Sequence, residues 1–376
     1  METNRPWLKN PEPFFPRVDD PPGGNLEARL ERMQDPDTGD LRYLTPTELF
    51  FVRNNSRTVE IDPASYRLRV CGDAVERELT LTLDDLRSLD THEMDALLEC
   101  AGDHRALFTR EQGQEVEGDP WMLGAVGLAR WTGVRLAAVL ERAGLLSDAA
   151  HVLLTGLDPE SPEGGWRRPL PLEKATAPET LLAYHMNHEP LLPDHGFPLR
   201  AVVPGWVGAS SIKWLGSIEV SSRPFWVRNN TRNYVLIGDE HPREGEALGR
   251  IVRHHTLNSA LALPWDAEVE LGEVTLQGYA WSPDAPVERV EWRADRMGRD
   301  GSTETAGAWR DAELRDAPVR WAWRRFRFSW VPDVTGPWVI RTRARDAAGR
   351  CQPKTVAYNE KGYLFNAPVP HPVRVR

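Results

Sequence analysis

The last third of the chain alternates apolar and polar residues, and this pattern constrains the fold more than any other feature. One such stretch places Val274, Leu276, Gly278 and Ala280 on the same face. A second stretch does so for Trp338, Ile340, Thr342 and Ala344. A period of two is typical of strands with one buried face, because successive side chains point to opposite sides. Pro, Asp and Gly turns separate the stretches, and helical periodicity is almost absent. The pattern predicts a β-sandwich over 246–376, after a boundary in the Gly- and charge-rich stretch 238–249.

Residues 49–245 mix helical and strand patterns, which predicts a separate α/β domain in this 376-residue chain. The clearest helix is predicted at 135–143, where apolar residues share one face and Gly144 can end the helix. Thr82 and Asp85 have the spacing of a capping box at the start of a short helix. Strands are predicted at 66–70, 152–155, 181–186 and 199–203.

The first 48 residues are rich in Pro, Gly and charge. They predict an arm that wraps around the first domain, with one short helix at 26–33. The apolar run 48–55 that follows is interpreted as a strand that delivers Arg53 into an Asn-containing loop.

Charge and cysteine usage exclude several classes of function. A formal net charge of −10 argues against nucleic acid or an anionic membrane as a partner. The three cysteines form neither a disulfide framework nor a metal-spaced pair. The first residues lack an apolar signal region and a twin-arginine pair, and no apolar run reaches the length of a membrane span. A cytoplasmic location is therefore expected.

The stretch 97–105, Leu-Leu-Glu-Cys-Ala-Gly-Asp-His-Arg, is the strongest candidate for chemistry. It places Cys100 at the end of a strand-like run, just before a tight turn, with His104 and Arg105 as nearby cationic groups. Positive charge favours the thiolate form, which can act as a nucleophile or as a ligand for a soft metal. The alternative is that Cys100 is simply a small buried hydrophobic residue.

Many short stretches, in order, resemble one known family. They are Phe-Phe-Val-Arg-Asn (50–54), Cys-Ala-Gly-x-x-Arg (100–105), Ala-Arg-Trp-Thr-Gly (129–133), Leu-Leu-Ala-Tyr-x-Met-Asn (181–187), Asp-His-Gly-Phe-Pro-Leu-Arg (194–200), Val-Val-Pro-Gly-Trp-Val-Gly-Ala (202–209), Ile-Lys-Trp-Leu-Gly (212–216), Gly-Tyr-Ala-Trp-Ser (278–282) and Trp-Ala-Trp-Arg (321–324). The sequence is similar to the sulfite oxidase family of molybdenum-cofactor enzymes. The resemblance implies an α+β chain, in which a mixed α/β molybdopterin-binding domain precedes an immunoglobulin-like β-sandwich.

The resemblance also implies the residues that bind a molybdenum–molybdopterin cofactor. Cys100 matches the family's thiolate ligand to the metal, which is consistent with the preference of soft metals for sulfur. The other residues at matching positions are Phe51, Val52, Arg53, Asn54, Asn55, Asp158, His195, Arg200, Ser211, Ile212 and Lys213. Taken alone, His195 would be interpreted as a solvated loop residue and Lys213 as an ordinary strand residue.

A small oxyanion is the implied substrate, because planar guanidinium groups suit oxyanions. By similarity, Arg53, Arg105 and Arg324 surround the anion, Trp121 forms one wall, and Tyr234 lies near the metal. Taken alone, Arg324 would be interpreted as part of an exposed strand face. The chain departs from the family pattern at Asn55, Asp103, His104, Ser210 and Ser211, and these departures reduce positive charge near the site.

The implied reaction is oxidation of sulfite to sulfate by oxygen-atom transfer. Electrons would pass to a separate acceptor, since no haem-binding domain is recognised, and a homodimer is expected. One alternative is a relative that reduces nitrate or oxidises a sulfane compound. A different class is a non-enzymatic scaffold in which the sandwich is an interaction module.

Overall fold

The computed structural model describes residues 25–298 and 301–376. The part up to residue 257 contains many strands and few helices. Its strands are β1 (Leu68–Gly72), β2 (Leu79–Leu81), β3 (Thr91–Glu99), β4 (Val126–Arg135), β5 (His151–Gly156), β6 (Arg167–Pro171), β7 (Leu181–Met186), β8 (Glu189–Pro190), β9 (Arg200–Val202), β10 (Leu215–Ser221), β11 (Val235–Leu236) and β12 (Arg250–Ile251). Its helices are α1 (Leu83–Arg87), α2 (Ala106–Gln112), α3 (Leu136–Ala143), α4 (Leu172–Ala175) and α5 (Arg228–Thr231). Short 3₁₀ turns lie at Leu30–Met33, Thr47–Leu49, Pro162–Gly164, Pro193–His195 and Gly208–Ser210.

Two five-stranded sheets and the two-stranded antiparallel pair of β11 and β12 form this first part. One has the order β2-β1-β10-β5-β6, in which only the β1–β10 pair is parallel. The other has the order β3-β4-β7-β8, with β9 also paired to β7, and all its pairs are antiparallel. Helix α3 packs the apolar face formed by Leu136, Val139, Leu140 and Ala143 onto the first sheet's core.

The second part is a β-sandwich, as the alternating pattern predicts. Its strands are β13 (Asn258–Leu261), β14 (Ala267–Val269), β15 (Val274–Trp281), β16 (Val287–Met297), β17 (Thr303–Thr305), β18 (Arg310–Asp311), β19 (Glu313–Leu314), β20 (Arg324–Trp330), β21 (Gly336–Asp346) and β22 (His371–Val375). One sheet has the order β13-β15-β20-β19 and the other β14-β22-β21-β16-β17, with β18 paired to β16. Side chains from both sheets, such as Phe326 and Ile340, share one apolar core. The predicted fold class, mixed α/β followed by a β-sandwich, is confirmed.

Local predictions with a clear period are also confirmed. Helix α3 begins one residue later than predicted and ends at Gly144, whose φ is +74°. Thr82 and Asp85 form both bonds of a capping box at the start of α1. The predicted strands at 66–70, 152–155, 181–186 and 199–203 correspond to β1, β5, β7 and β9.

Two predictions near the beginning of the chain are wrong. The stretch 48–55 is not a strand: it contains the 3₁₀ turn Thr47–Leu49 and a single bridge between Val52 and Leu26. The reason is that Phe50, Phe51 and Val52 are all buried, so the side chains do not alternate between two faces. The predicted helix at 26–33 is only the 3₁₀ turn Leu30–Met33. Residues 1–24 of the predicted arm lie outside the described residues.

Within 25–298 and 301–376, none of the helices is long and apolar enough to cross a membrane.

Candidate functional site

Strand β3 and the turn after it position Cys100. Strand β4 continues the antiparallel pairing to the end of β3, where Glu99 faces Val126 and the Cys100 amide donates to the Ala125 carbonyl at 2.8 Å. The turn closes when the Asp103 amide donates to the Cys100 carbonyl at 3.0 Å. A Cβ at Gly102 would lie 2.4 Å from Nη2 of Arg105, so a larger residue there would displace the guanidinium group from its hydrogen bonds. The Cys-Ala-Gly sequence thus fixes the thiol at a sheet edge.

The electrostatics of Cys100 differ from the sequence-based expectation. Burial raises the pKa of the Cys100 thiol, and the opposing effects of Arg105 and Arg53 do not cancel that increase. His104 is not a cationic group, because complete burial lowers its pKa to about 3. Desolvation therefore outweighs attraction to the neighbouring arginines, and a bound metal would have to displace the thiol proton.

A cleft with an empty volume of about 720 Å³ lies on one side of the thiol. Most of the predicted cofactor residues line it, namely Phe51, Arg53, Asn54, Asn55, Cys100, Asp158, His195, Arg200, Ser211, Ile212 and Lys213. Val52 does not: its side chain is buried and its backbone pairs with Leu26. That single part of the predicted cofactor set is corrected. We call this space the cofactor cleft.

Two cationic side chains of the cofactor cleft are held by backbone carbonyls. Arg200 donates to the carbonyls of His195 and Ser211, both at 3.0 Å, and lies 4.9 Å from the centre of the Trp131 ring. Burial lowers its pKa to about 9. Lys213 donates to the Asp194 carbonyl at 2.9 Å and to Oδ1 of Asn54. These positions leave positive charge at the wall of the cleft.

His195 is buried and neutral. Burial lowers its pKa to about 4, and its Nε2 lies 3.0 Å from the Thr47 carbonyl oxygen. Because that oxygen can only accept, Nε2 carries the proton and Nδ1 is left as an acceptor. The sequence-based alternative of a solvated loop histidine is wrong.

A second cavity, of about 500 Å³, meets the cofactor cleft at Cys100. Arg53, Cys100 and Tyr234 line both spaces. The remaining lining residues of the second cavity are Arg105, Glu117, Gly118, Asp119, Trp121, Lys361 and Tyr363. Three side chains are cationic, and we call this space the anion cavity.

Arg105 and two tyrosines form the wall of the anion cavity. Nε of Arg105 donates to the Lys361 carbonyl at 2.8 Å, and Nη1 donates to the Asp119 carbonyl at 2.7 Å. Its guanidinium group lies 5.2 Å from the centre of the Tyr363 ring, which stacks on Tyr234 at 5.4 Å. Burial raises the pKa of Tyr234, so its hydroxyl keeps its proton and remains a donor.

Arg53 lies where the two spaces meet. Its Nη2 donates to Oδ1 of Asn55 at 2.8 Å and its Nη1 donates to the Asn54 carbonyl. Burial lowers the pKa of its guanidinium group, but nearby acidic groups, Asp119 among them, raise that pKa overall. Asn55, one of the departures from the family pattern, therefore orients Arg53 and adds no charge.

The predicted placement of Arg324 requires correction. Arg324 lines neither space, and its guanidinium group donates to the carbonyls of Asp316 and Val287, both at 2.9 Å. Strand β20 pairs with β15 in the sandwich, and the Arg324 side chain contacts the start of β16 at Val287 and the loop that contains Asp316. The interpretation of Arg324 as part of an exposed strand face is correct for the strand but not for the exposure, since the side chain is half-buried.

Sequence reasoning missed Glu117, Gly118 and Asp119 of the anion cavity, and in the second part of the chain it missed Lys361 and Tyr363. Both lie in the loop between β21 and β22, and Gly362 between them has φ +57° and packs against Arg105. A lysine beside such a glycine indicates only a turn. The sequence carries no signal that connects residue 361 with residue 105.

Comparison with known proteins gives three findings. The model of the oxidoreductase molybdopterin binding domain family matches residues 55–227. Mitochondrial sulfite oxidase of Homo sapiens is 39% identical over 336 residues, which cover 86% of this chain and 60% of that protein. Sulfite oxidase of Arabidopsis thaliana is 32% identical over 348 residues, which cover 86% of each chain.

A solved structure, the sulfane dehydrogenase SoxCD from Paracoccus pantotrophus, has the same fold. Its TM-score is 0.79 with 23% sequence identity, and the match covers 96% of this chain and 86% of that one. At that identity the likeness concerns the fold alone. This chain spans about 60% of the length of the mammalian relatives that it matches.

Proposed function

The chain belongs to the sulfite oxidase family of molybdopterin-binding oxidoreductases, and on that premise we propose that it oxidises sulfite to sulfate. In the overall reaction, sulfite and water give sulfate, two protons and two electrons. The electrons would pass to a separate acceptor. One observation carries the proposal: the Cys100 sulfur lies where the cofactor cleft meets the anion cavity, which is lined by three cations.

The residues of the cofactor cleft fit a molybdenum–molybdopterin group. A thiolate from Cys100 is a suitable ligand for a soft metal, and Arg200 and Lys213 suit a phosphate. The polar side chains of Asn54, Asp158 and Ser211 would serve the hydrogen-bonding groups of a heterocycle. When bound, this group supplies oxygen-atom and two-electron chemistry.

The anion cavity would bind and orient sulfite beside Cys100. Arg53, Arg105 and Lys361 can donate hydrogen bonds to its oxygens, while Trp121 limits the space on one side. The Tyr234 hydroxyl, which retains its proton, offers a further donor at the junction. Fixed donors in a partly buried cavity stabilise developing charge more strongly than water does.

Replacement of Cys100 with Ser tests the proposal. We expect sulfite turnover to be lost, because a hydroxyl is a poor ligand for a soft metal, while the melting temperature changes little. Cys351→Ser is the matched control, since that thiol is exposed. Molybdenum content, steady-state assays with sulfite and nitrate side by side, and thermal unfolding would be measured. Sulfite turnover retained by Cys100→Ser would contradict the assignment, and turnover of nitrate alone would favour the alternative substrate.

A homodimer, a cytoplasmic location and the lack of nucleic-acid or membrane partners stay predictions. We propose that strands of the sandwich form the dimer contact, where Trp and Arg residues are frequent between 319 and 330. A solution mass twice the 42.5 kDa of the chain would support that part of the proposal.

A further inference from the structure

The anion cavity carries two carboxylates as well as its three cations. Asp119 and Glu117 line it together with Arg53, Arg105 and Lys361. Asp119 is buried and accepts a hydrogen bond from Nδ2 of Asn25 at 2.8 Å. Glu117 differs, because 59% of its side chain is exposed at the rim and its carboxylate pairs with the ammonium group of Lys361. A cavity that binds only by attraction would gain nothing from a carboxylate at its entrance.

Backbone contacts hold this rim pair in place. The Glu117 amide donates to the Glu360 carbonyl at 2.8 Å, and the Lys361 carbonyl accepts from Nε of Arg105 at 2.8 Å. A Cβ at Gly362 would lie 2.8 Å from Cγ of Arg105, so the loop packs tightly at this point. The backbone positions of Glu117 and Lys361 therefore do not depend on the attraction between their side chains.

Glu117 keeps its negative charge in the working range of pH. The hydrogen bond and charge of Lys361 lower the pKa of its carboxyl group. An ammonium group has three donors, so Lys361 can contact an incoming oxyanion while it remains beside Glu117. The Glu117 charge repels a dianion twice as strongly as it repels a monoanion at the same position.

We propose that the Glu117 carboxylate sets how strongly the anion cavity holds doubly charged oxyanions: it weakens their binding more than that of monoanions and so favours release of a doubly charged product. The inference rests on the proposed function for the identity of that product, sulfate. Its physical content, charge discrimination at the rim, concerns anion binding alone. Glu117 acts on the affinity of the cavity and takes no part in the chemical step.

Sulfate binding to the cofactor-loaded protein tests this by titration calorimetry. We expect Glu117→Gln to bind sulfate about three- to tenfold more tightly than the unaltered protein, and to bind monoanionic nitrate more tightly by a smaller factor. Inhibition of sulfite turnover by sulfate should increase in parallel. The matched control is Glu313→Gln, which removes an equally exposed carboxylate from its pair with Arg327 on the sandwich and should change neither affinity.

Glu117→Gln could tighten sulfate binding in two ways: by removing a negative charge, or by freeing Lys361 from its ion pair. Making the same change in a Lys361→Gln protein separates these two effects. In Lys361→Gln, the added Glu117→Gln change should still tighten sulfate binding, because the negative charge is removed in both backgrounds. An unchanged sulfate affinity in Glu117→Gln, or tightening that disappears in the Lys361→Gln background, would overturn the inference. If the unaltered protein did not oxidise sulfite, but Glu117→Gln still changed the sulfate affinity as expected, the result would instead count against the proposed function.

Discussion

Among the described residues, Arg105 bonds to carbonyl groups and not to a carboxylate, so no bonded carboxylate competes with an anion for its guanidinium group. Its two hydrogen bonds go to the backbone oxygens of Lys361 and Asp119, and its face covers Tyr363. By contrast, Arg325 in the sandwich is neutralised by Asp316 at 2.7 Å. A guanidinium group that is buried, oriented and lacks a bonded carboxylate is suited to bind an oxyanion.

Arg105→Gln and Arg324→Gln form an informative pair of variants. We expect Arg105→Gln to lower kcat/KM for sulfite by about a hundredfold, because one oriented cationic donor is lost from the anion cavity. Arg324→Gln should leave kcat/KM unchanged, since its guanidinium group bonds to carbonyls of the sandwich. Steady-state kinetics on both variants measure the difference. A large loss in Arg324→Gln would contradict the position that the structure gives this residue.

A site residue could be predicted from the sequence where it lies in a short motif. It could not be predicted where burial determines its protonation state or where contacts between distant parts of the chain determine its position. Cys100 and Lys213 lie in matching stretches and line the cofactor cleft, although their roles stay predictions. The neutral state of His104 could not be predicted, because it follows from burial by residues far along the chain. Lys361 reaches the anion cavity only through contacts between distant parts of the chain.

At the scale of elements, backbone hydrogen bonds hold the segment 25–33 between the stretch around Val52 and the stretch around Gly124. The Leu26 amide donates to the Val52 carbonyl at 2.9 Å, and the Ala28 amide donates to the Gly124 carbonyl at 3.0 Å. Glu27, between them, accepts from the Gly124 amide at 2.8 Å. Burial raises the pKa of Glu27 to about 7, although backbone hydrogen bonds oppose the increase.

The raised pKa of Glu27 predicts a pH-dependent contribution to stability. Between pH 4.5 and about 7 the folded chain holds this proton more tightly than the unfolded chain. The contribution to the free energy of unfolding is therefore fully present below pH 4.5, and it is lost as the pH rises to about 7. Glu27→Gln, which can still accept from Gly124, should be more stable than the unaltered protein at pH 8 by about 1–3 kcal/mol and equally stable at pH 4.5.

Urea denaturation of both proteins across this pH range measures the difference. Glu60→Gln, at an exposed position, controls for the simple loss of one carboxylate. Parallel stability curves for Glu27→Gln and the unaltered protein would show that Glu27 does not titrate as described.

Elements with a clear period could be predicted from the sequence, and those without one could not. The helix at Leu136–Ala143 and the strand at Leu181–Met186 each bury one regular face or one continuous run. The stretch around Phe50–Val52 is apolar for another reason, since it fills the space between several elements. Hydrophobicity alone does not separate these cases.

At the scale of the whole molecule, the two parts of the chain contact each other next to the anion cavity. The Leu97 amide of β3 donates to the Trp321 carbonyl at 2.8 Å, and one apolar core contains Leu107 and Phe108 together with Trp281 and Phe365. Residues from both parts therefore line the anion cavity. The boundaries 49–245 and 246–376 stay predictions for domains, but the contact between the two parts is extensive and partly polar.

Asn258 connects these parts through buried hydrogen bonds. Its Nδ2 lies 3.0 Å from Nδ1 of His104, which the low pKa of His104 leaves as an acceptor, and 3.1 Å from the Phe365 carbonyl. Its Oδ1 accepts from Gln352 at 3.2 Å. Because all of these groups are buried, each would lose its partner without access to bulk water.

Asn258→Ala should accordingly lower the free energy of unfolding by about 2–4 kcal/mol, since it leaves polar groups on both parts unsatisfied and opens a small cavity. Asn366→Ala is the matched control: its amide makes only a 3.4 Å contact with the Leu257 carbonyl, and we expect a loss below about 1 kcal/mol. Urea denaturation followed by tryptophan fluorescence and circular dichroism measures both values. Equal losses in the two variants would mean that the polar contacts through Asn258 add little, and that apolar packing alone holds the parts together behind the anion cavity.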